Sequence, residues 1–396
     1  MEKNKRPKFV KKRHQVLVKV GKVIASPFIR FKLGYKLNKY DLSQLGPSLI
    51  VSNHVTPFDP IFVTDTFGQQ IYYIASEIIF SNGIISRVLE YAYAPIPKTK
   101  SQTDITAIKQ MITIAREGGS VGVFVEGNSS FNGALYPFAD SIGKLVLMLK
   151  LPLVIFNFKG GYLTKPRWAL YAKKGKFTGE VREVINYDTY KHMSAEAITN
   201  LIRDKININA YIDTLGVDYD GKKRAEGLQR LLFSCPVCHH VNSVSTKGKH
   251  YHCSHCRLKS EYDKRGYLHL PERGPVDLVT LDEENLKHYE QYLGENPEFS
   301  LSYKGELIHM FKRQRRRLGR VKITLARHGL TVVRHKKGEI TLFPFDQIDA
   351  VAVQQQAMLI FYINNQPTTA VKLNKLDSAY QMMKTFEIFK KLSHKE

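Results

Sequence analysis

The sequence has no uninterrupted apolar run of the roughly 18 residues that a membrane-spanning helix needs. Its longest apolar stretch, LVLMLKLPLVIF, is interrupted by Lys150 and Pro152. The basic amino terminus is not followed by the apolar core and small-residue cleavage site of a secretory signal. These absences favour a chain that stays in the cytoplasm, or lies peripherally on the inner face of the cell membrane.

Cysteine is scarce, and its four occurrences among 396 residues fall in one short segment. They form two CxxC pairs separated by fourteen residues, namely Cys235, Cys238, Cys253 and Cys256. Four thiolates close a tetrahedral Zn²⁺ site and leave no position open for chemistry, so the spacing predicts a structural zinc ribbon. Disulfides are the alternative, which a cytosolic chain disfavours. Four neighbouring histidines are alternative ligands: His239, His240, His252 and His255.

Acidic residues are also few, since 60 Lys and Arg oppose 36 Asp and Glu and leave a net charge of +24. Such an excess implies an anionic partner, which can be nucleic acid, an anionic membrane surface, or a phosphorylated or acyl-carrier substrate. The excess is concentrated in residues 1–40, which contain thirteen bases and a single acid, Glu2. The partner's contact is therefore expected to include this amino-terminal arm.

The arm has apolar residues at spacings of three and four between its bases. This pattern predicts an amphipathic helix that lies on a membrane surface, with an apolar stripe opposite Lys12, Lys19 and Lys22. Pro27 is expected to kink or divide the helix. An arm packed on its own domain and a disordered basic tail are the alternatives. The apolar residues are Phe9, Val16, Leu17, Val20, Val23, Ile24, Phe28, Phe31 and Leu33.

The remaining sequence divides into three segments. Residues 41–230 alternate short apolar runs with longer amphipathic ones, which predicts an α/β domain with a mixed sheet, flanking helices and a helical connector. Residues 231–272 form the predicted zinc ribbon. Residues 273–396 contain seven strand-like runs and a final amphipathic helix, which predicts an antiparallel β domain that looks like a pleckstrin-homology-type lipid-binding domain. Its basic stretch FKRQRRRLGR suits anionic headgroups or a solvated loop.

Two polar motifs follow predicted strands of the α/β domain. NHVTPFD places His54 and Asp59 after the run PSLIV, and a carboxylate that orients a histidine makes the imidazole a ready proton acceptor. Asp59 also precedes Pro60, so the bland interpretation is a helix N-cap, and both roles can hold at once. FVEGNSS places Glu126 at the end of another buried run, followed by hydrogen-bond donors. Loops at the strand ends of such a fold carry the functional site.

Together these motifs resemble the bacterial glycerol-phosphate and lysophosphatidic acid acyltransferases, whose signature is NH, four residues and D, followed by an F-x-E-G-[TS] block. The resemblance covers about residues 34–190 and implies a catalytic pair, His54 and Asp59. It also implies an acceptor-binding block at Glu126 and Gly127. The full set of implied substrate-binding residues is Asn53, Lys98, Lys100, Glu126, Gly127, Asn128 and Ser129.

This sequence departs from the family pattern in its acceptor block. Asn128 and Ser129 stand where the family commonly has Thr and Arg, so a phosphate-clamping arginine is missing. Lys98 and Lys100 in APIPKTK replace a second basic position, and lysine meets a phosphate without the bidentate geometry of arginine. The acceptor is therefore left open among lysophospholipids, glycolipids and other amphiphilic alcohols.

The resemblance implies transfer of a fatty acyl group to a lipid hydroxyl, with His54 as the general base. The donor is acyl-coenzyme A, acyl-acyl carrier protein or acyl phosphate. A catalytically silent lipid-binding scaffold and a nucleic-acid-binding zinc-ribbon protein are the alternatives. The ribbon has few aromatic residues for base stacking, and the largest charge excess lies about two hundred residues away from it, so the sequence disfavours nucleic acid.

Overall fold

The computed structural model describes residues 8–81, 83–98, 105–311, 314–334, 338–364 and 366–393. These residues form two compact units. The first consists of residues 8–165 and 174–217, and the second of residues 166–173 and 218–393. The first unit has one sheet and the second has three, and each unit has its own buried side chains.

The first unit alternates helices and strands. Its helices are α1 (Lys12–Leu33), α2 (Asp59–Phe67), α3 (Ile84–Tyr93), α4 (Ile105–Arg116), α5 (Ser141–Leu149), α6 (Gly161–Thr164), α7 (Tyr187–Tyr190) and α8 (Ala195–Ile206). Its strands are β1 (Tyr35–Lys36), β2 (Leu49–Ser52), β3 (Ile71–Ser76), β4 (Ile96–Lys98), β5 (Ser120–Phe124), β6 (Leu153–Lys159) and β7 (Phe177–Ile185).

These seven strands form one mixed sheet in the order β1-β7-β6-β2-β5-β3-β4. The five strands from β6 to β4 are parallel, and β7 runs antiparallel to β6. Strands covered on both faces read as continuous apolar runs, and β2 and β6 are buried along nearly their whole length. Met111, Ile198 and Ile202 cover one face, while Phe62 and Phe67 of α2 cover the other. The predicted α/β sheet with flanking helices is confirmed.

Helix α1 turns its apolar stripe toward solvent. It runs through Pro27 without a break, so the predicted division of the helix is wrong. Its buried side is formed by His14, Val18, Ser26 and Leu33. The opposite side exposes a set of large apolar residues, namely Val16, Val20, Val23, Ile24, Phe28 and Phe31. The helix is therefore attached to the first unit through its less apolar side.

Polar contacts explain how α1 is held. The Ser26 hydroxyl donates to the buried Asp65 carboxylate on α2, and His14 Nδ1 lies 3.0 Å from the Tyr72 hydroxyl on β3. Burial raises the pKa of Asp65, although Ser26 and Arg30 oppose the rise. These partners satisfy polar groups on the buried side, so the apolar stripe remains uncovered by the described residues of the first unit.

The second unit begins with a cysteine-containing segment. Its elements are β8 (Val244–Lys247), β9 (His250–Cys253), β10 (Lys259–Glu261), β11 (Leu268–Leu270), β12 (Gly274–Val276) and α9 (Leu278–Glu295). Strands β8, β9 and β10 form a three-stranded antiparallel sheet, and β11 pairs with β12. The boundary that we predicted between residues 272 and 273 falls inside the β11–β12 hairpin.

The carboxyl-terminal part of this unit is an antiparallel sheet with a final helix, as predicted. Its elements are β13 (Leu301–Phe311), β14 (Gln314–Ala326), β15 (Gly329–Arg334), β16 (Glu339–Phe343), β17 (Ile348–Gln354), β18 (Met358–Ile363), β19 (Thr368–Leu373) and α10 (Ala379–Ser393). The seven strands follow the order β16-β15-β14-β13-β19-β18-β17. Met382, Phe386 and Phe389 of α10 are buried. A pleckstrin-homology-type identity stays a prediction.

Helix α9 was absent from the sequence-based prediction. Asp277 begins it by accepting a hydrogen bond from the Thr280 N–H at 2.9 Å. Leu278, Leu281, Tyr289 and Leu293 are buried at helical spacing. The capping residue Asp277 and the apolar spacing can both be read from the sequence, but the many acidic and polar residues between the apolar ones make the helical period hard to recognise.

Candidate active site

The two motifs meet at one edge of the parallel sheet. Ser52 ends β2 and pairs in register with Phe124, which ends β5. His54 and Glu126 each follow two residues later, so they lie on adjacent chains at the carboxyl edge. A cavity opens there, and the described residues that line it are Asn53, His54, Val55, Glu126, Ser130, Gly133, Ala134, Leu135, Phe158, Lys159, Gly160, Tyr162, Ile208, Ala210 and Asp213.

His54 and Asp59 form a direct contact, with 2.7 Å between Nδ1 and Oδ2. Asp59 is buried and also accepts hydrogen bonds from the N–H groups of Val55 and Thr56 and from the Thr56 hydroxyl. A group that accepts so many donors acts as a carboxylate, and a carboxylate requires the proton on Nδ1. The tautomer assigned from this network leaves the His54 Nε2 lone pair as the basic atom.

The alternative role of Asp59 as a helix cap is wrong. Asp59 is the first residue of α2, and Phe58 occupies the N-cap position without a side-chain hydrogen bond. The N–H groups that Asp59 accepts belong to Val55 and Thr56, which precede the helix. The carboxylate thus shapes the loop between β2 and α2 and holds the imidazole at the same time.

Aromatic packing completes the setting of His54. Its ring stacks on Phe124 with 4.7 Å between centroids and 27° between planes. Phe124 in turn stacks on Tyr73 at 5.5 Å. An imidazole held by one hydrogen bond and one stacked ring loses little further freedom when it accepts a proton, which is how a site lowers the cost of orientation.

Asn53 joins the loop after β2 to the end of β6. Its Oδ1 accepts from the Phe158 N–H at 2.8 Å, and its Nδ2 donates to the Phe158 carbonyl at 3.3 Å. The side chain thereby continues the parallel pairing of β2 and β6 beyond the last backbone pair. Because Asn53 precedes His54 and Phe158 precedes Lys159, this bridge brings the base and a lysine to one cavity.

Glu126 holds the backbone of His54 in place. Its Oε1 accepts from the His54 N–H at 2.7 Å, and its Oε2 accepts from the Tyr136 N–H at 2.7 Å. Burial raises the pKa of Glu126 to about 8, against the lowering by these two N–H groups. Glu126 lines the cavity, and both of its oxygens accept hydrogen bonds from backbone N–H groups. It therefore positions His54, in addition to any contact that it makes with an acceptor.

Replacement of Glu126 by Gln is expected to destabilise the fold by roughly 1–3 kcal/mol, because an amide nitrogen cannot accept from a backbone N–H, whereas the hydroxyl oxygen of a protonated carboxyl still can. The effect should depend on pH. The folded-state pKa of about 8 lies above the ordinary value of 4.5, so the wild-type advantage is full below about pH 4.5, falls as pH rises from there to about 8, and is smallest above that. Urea unfolding of the wild type and of Glu126→Gln at pH 5.5 and pH 8.5 measures the difference in their free energies of unfolding. The same difference at both pH values contradicts a buried carboxyl that is protonated at the lower pH.

The other predicted acceptor residues follow Glu126. Gly127 has a left-handed φ of 64°, a conformation that favours glycine, and a Cβ there would meet no protein atom within 4 Å. Asn128 and Ser129 are half-buried and do not line the cavity among the described residues. Ser130 does line it, and its hydroxyl accepts from the Gly133 N–H at 2.9 Å.

Lys98, one of the two predicted lysines, does not line the cavity. Lys98 ends β4, three strands from β2 in the sheet order, which corresponds to about 14 Å. It is exposed at the same carboxyl edge as His54. Lys100 lies outside the described residues. The cation that the structure brings to the cavity is instead Lys159, which the sequence shows only as part of NFKGG, a stretch without a clear motif.

The four cysteines of the second unit form one cluster. Their Sγ atoms all lie within 4.8 Å of one another, and the described residues contain no other such group of metal-binding side chains. Cys235 lies 3.6 Å from Cys256, and Cys238 lies 3.8 Å from Cys253. Sulfur atoms about 2.3 Å from a central ion in a tetrahedron are about 3.8 Å apart, so the donor set fits a metal ion. None of the neighbouring histidines belongs to the cluster.

Comparison with known proteins agrees with the resemblance at the level of the family. Residues 36–158 match the family model described as Acyltransferase. The chain is 25% identical over 162 residues to the chloroplastic 1-acyl-sn-glycerol-3-phosphate acyltransferase BAT2 of Brassica napus. That match covers 40% of this chain and 45% of the relative, so the chain spans less than half of the relative's length. Residues 36–158 are thus similar to an acyltransferase domain, and the chain has a distant relative among the 1-acyl-sn-glycerol-3-phosphate acyltransferases.

Solved structures were also compared with the chain. The acyltransferase PlsC from Thermotoga maritima aligns with a TM-score of 0.39 at 16% identity, over 49% of this chain and 78% of that one. A human myosin 7b MyTH4-FERM structure in complex with the harmonin-a PDZ3 domain aligns with a TM-score of 0.19 at 12% identity, over 30% of this chain and 26% of that one.

Within the described ranges, none of the helices combines the length and the apolar composition that crossing a bilayer requires.

Proposed function

We propose that this protein transfers a fatty acyl group to the hydroxyl of a lysophospholipid or related glycerolipid. The observation that carries the proposal is the 2.7 Å contact between His54 and a fully buried Asp59 at the wall of a cavity. The match of residues 36–158 to the acyltransferase family supports the reaction class. The motif order His54, Asp59 and Glu126 supports the assignment of roles.

The reaction needs one proton transfer and one acyl transfer. His54 Nε2 takes the proton of the acceptor hydroxyl as its oxygen attacks the acyl carbonyl carbon. The carbon–oxygen bond forms, and the bond to the thiolate or phosphate leaving group breaks. Asp59 stabilises the imidazolium that arises, and the proton passes to the leaving group. The acceptor hydroxyl is itself the nucleophile, so the mechanism requires no covalent serine intermediate.

The donor in this proposal is acyl-coenzyme A, acyl-acyl carrier protein or acyl phosphate. All three are anionic, or are carried by an anionic protein, and the net charge of +24 favours each of them. The reaction needs no organic cofactor beyond the donor. The protein acts in the cytoplasm, at the inner face of the cell membrane.

An acyl-transfer assay tests the function. Purified protein is mixed with anionic liposomes, each donor in turn, and a panel of lysolipids and glycolipids, and products are identified by mass spectrometry. We expect an acylated lysolipid. Lipid binding without any product supports the silent scaffold instead. Tight duplex binding with a steep salt dependence, unaffected by lipid, supports the nucleic-acid alternative.

The cysteine cluster, in this proposal, holds a structural Zn²⁺. The four thiolates would occupy all positions of a tetrahedral ion, which leaves none for a substrate. Tyr251 contributes to the surroundings, since it is buried and its hydroxyl donates to the carbonyls of Leu232 and Ser234. The chain around the cluster is thereby tied to the following sheet, so the ion's role is to stabilise the second unit.

Membrane docking is proposed for the α1–α3 surface, defined as the exposed apolar stripe of α1 with Ile84, Val88 and Tyr91 of α3. These three residues recur at helical spacing and are exposed. The Arg13 guanidinium lies 4.2 Å from the centre of the Tyr91 ring and joins the two helices. Lys12, Lys19 and Lys32 are exposed beside the stripe. Apolar side chains flanked by cations suit an anionic bilayer surface.

Replacement of Ile24 and Phe31 by Asp is expected to weaken binding to anionic liposomes at least about tenfold, because each exposed apolar side chain contributes roughly 1.5–3 kcal/mol when it enters the interface. The two side chains are 71% and 88% exposed, so folding should be unaffected. Co-sedimentation with phosphatidylglycerol vesicles measures the change. Ile105→Asp with Met148→Asp adds the same charge at exposed positions elsewhere in the unit, and equal weakening by this control contradicts the assignment.

A further inference from the structure

Two side chains of opposite charge line the cavity beside His54. Lys159 ends β6, and Asp213 lies in the loop that follows α8. Neither belongs to a motif of the family resemblance. A role of these residues in binding the acceptor headgroup rests on the proposed function.

Lys159 belongs to a small charged network. Its Nζ lies 2.8 Å from the Glu180 carboxylate, which also accepts from Arg182 at 2.7 Å. One acid shared by two bases leaves this group with a net charge of +1. The bridge between Asn53 and Phe158 fixes the backbone next to Lys159, so the cationic side of the cavity stands beside the base.

Asp213 is held by its own loop. Its Oδ2 accepts from the Asn209 N–H at 2.9 Å, and its N–H donates to the Asn209 carbonyl at 2.9 Å. Burial raises the pKa of Asp213, whereas Lys159 and Arg182 lower it through their charge. The carboxylate therefore lies near enough to the cationic network to interact with it, on a separate element of the cavity wall.

The charges on this wall limit the headgroup that fits. The network around Lys159 supplies +1, and the Asp213 carboxylate supplies −1. A terminal phosphomonoester with up to two negative charges would meet one lysine and a repelling carboxylate. The guanidinium expected after the EG motif is replaced by Ser129, which cannot offset that repulsion. A headgroup with one negative and one positive charge would have an oppositely charged side chain for each, Lys159 and Asp213.

We propose that the acceptor is a zwitterionic lysophospholipid, with its phosphodiester bound toward Lys159 and its ammonium bound toward Asp213. The glycerol joins the phosphodiester on the side away from the ammonium, so a phosphodiester bound toward Lys159 keeps the glycerol hydroxyl in the cavity that Lys159 shares with His54. Lysophosphatidylethanolamine and lysophosphatidylcholine share this chemistry.

The surroundings of Asp213 favour a lipid over a free headgroup. Ile212 is 74% exposed and Leu215 is 81% exposed, so two large apolar side chains project beside the carboxylate. Within the same loop Ile208 and Ala210 line the cavity. An acyl chain attached to the headgroup can cover these apolar side chains, whereas glycerophosphoethanolamine offers nothing to them.

Equilibrium binding without a donor tests the headgroup, because no turnover is then needed. The probes are short-chain lysophosphatidylethanolamine, lysophosphatidylcholine, lysophosphatidylglycerol, lysophosphatidate and glycerophosphoethanolamine, titrated calorimetrically into the full-length protein below their critical micelle concentrations. We expect one or both zwitterionic lysolipids to bind at least about tenfold tighter than lysophosphatidate, because only they can form the ion pair between the ammonium and Asp213. The free headgroup should bind weakest.

Asp213→Asn is the decisive variant, since its amide oxygen can still accept from Asn209 while the charge is lost. It should reduce the preference for zwitterionic lysolipids over lysophosphatidate by about tenfold. Lys159→Met should weaken all phosphate-containing probes. Asp188→Asn, which removes an exposed carboxylate on α7, is the matched control and should leave the preference unchanged.

The outcomes separate this inference from the proposed function. Tighter binding of lysophosphatidate, or an unchanged preference in Asp213→Asn, overturns the zwitterionic assignment even if the protein is an acyltransferase. Zwitterion-selective binding that depends on Asp213, without product in the acyl-transfer assay, supports the headgroup site and contradicts the enzyme. Binding of no lysolipid overturns the headgroup site.

Discussion

His54→Ala is expected to lower the rate of acyl transfer by a factor of about 10²–10⁴, the usual contribution of a positioned general base. The loss should fall on kcat more than on KM, because the imidazole acts on the hydroxyl as the new bond forms. The fold should persist, since the His54 side chain is partly exposed and the Glu126 contact involves its backbone N–H. Product formation under saturating donor and acceptor measures the change.

Asp59→Asn, measured in the same experiment, tests the residue that orients His54 and also shapes the loop before α2. The amide presents donors to the N–H groups of Val55 and Thr56, so we expect a lower unfolding midpoint together with lower turnover. His54→Ala should lose turnover at an unchanged midpoint. Full activity of His54→Ala contradicts the mechanism, and an equal loss of stability in both variants shows that His54 serves the fold.

Loss of the proposed Zn²⁺ is expected to have the largest effect on stability. Cys235→Ser takes away one buried thiolate of four, and a structural zinc site contributes roughly 10 kcal/mol or more to the region that it organises. The variant should contain little Zn²⁺, and the second unit should unfold at a much lower temperature. Metal analysis measures the Zn²⁺ content, and thermal unfolding monitored by circular dichroism measures the transition temperature. The chemistry should be untouched directly, because every residue of the cavity belongs to the first unit.

The neighbouring histidines provide the control for this prediction. The His255 ring stacks on His240 with 4.3 Å between centroids, yet neither imidazole belongs to the cysteine cluster. His255→Ser should therefore keep one Zn²⁺ per chain and the wild-type transition. Unchanged metal content in Cys235→Ser, or loss of metal in His255→Ser, contradicts the four-thiolate site.

Local patterns explain what could be predicted from the sequence. His54 and Asp59 stand five residues apart within one loop, so the chain itself keeps them close. The cysteine pairs are local in the same sense, and their spacing predicts the cluster that the structure contains. The seven strands and the final helix of the second unit follow from alternating apolar residues between turns. In each case the interaction that defines the feature spans few residues.

Features that join distant segments could not be predicted in this way. Lys159 and Asp213 reach the cavity because β6 pairs beside β2 and the loop after α8 folds over that edge. Glu126 binds the His54 backbone across 72 residues, a contact that no motif spacing encodes. The predicted Lys98 stands at the correct edge but three strands away, since sheet order depends on packing of the whole domain.

By itself, the sequence determined most of the helices and strands, the histidine–aspartate loop and the four-cysteine cluster, because each depends on neighbouring residues; helix α9 is the exception. Only the tertiary structure decided which side of α1 is buried, since an amphipathic period defines a stripe but not what covers it. It also decided which charges share a cavity with the base, because that depends on strand order and on loops brought together by the burial of β2 and β6.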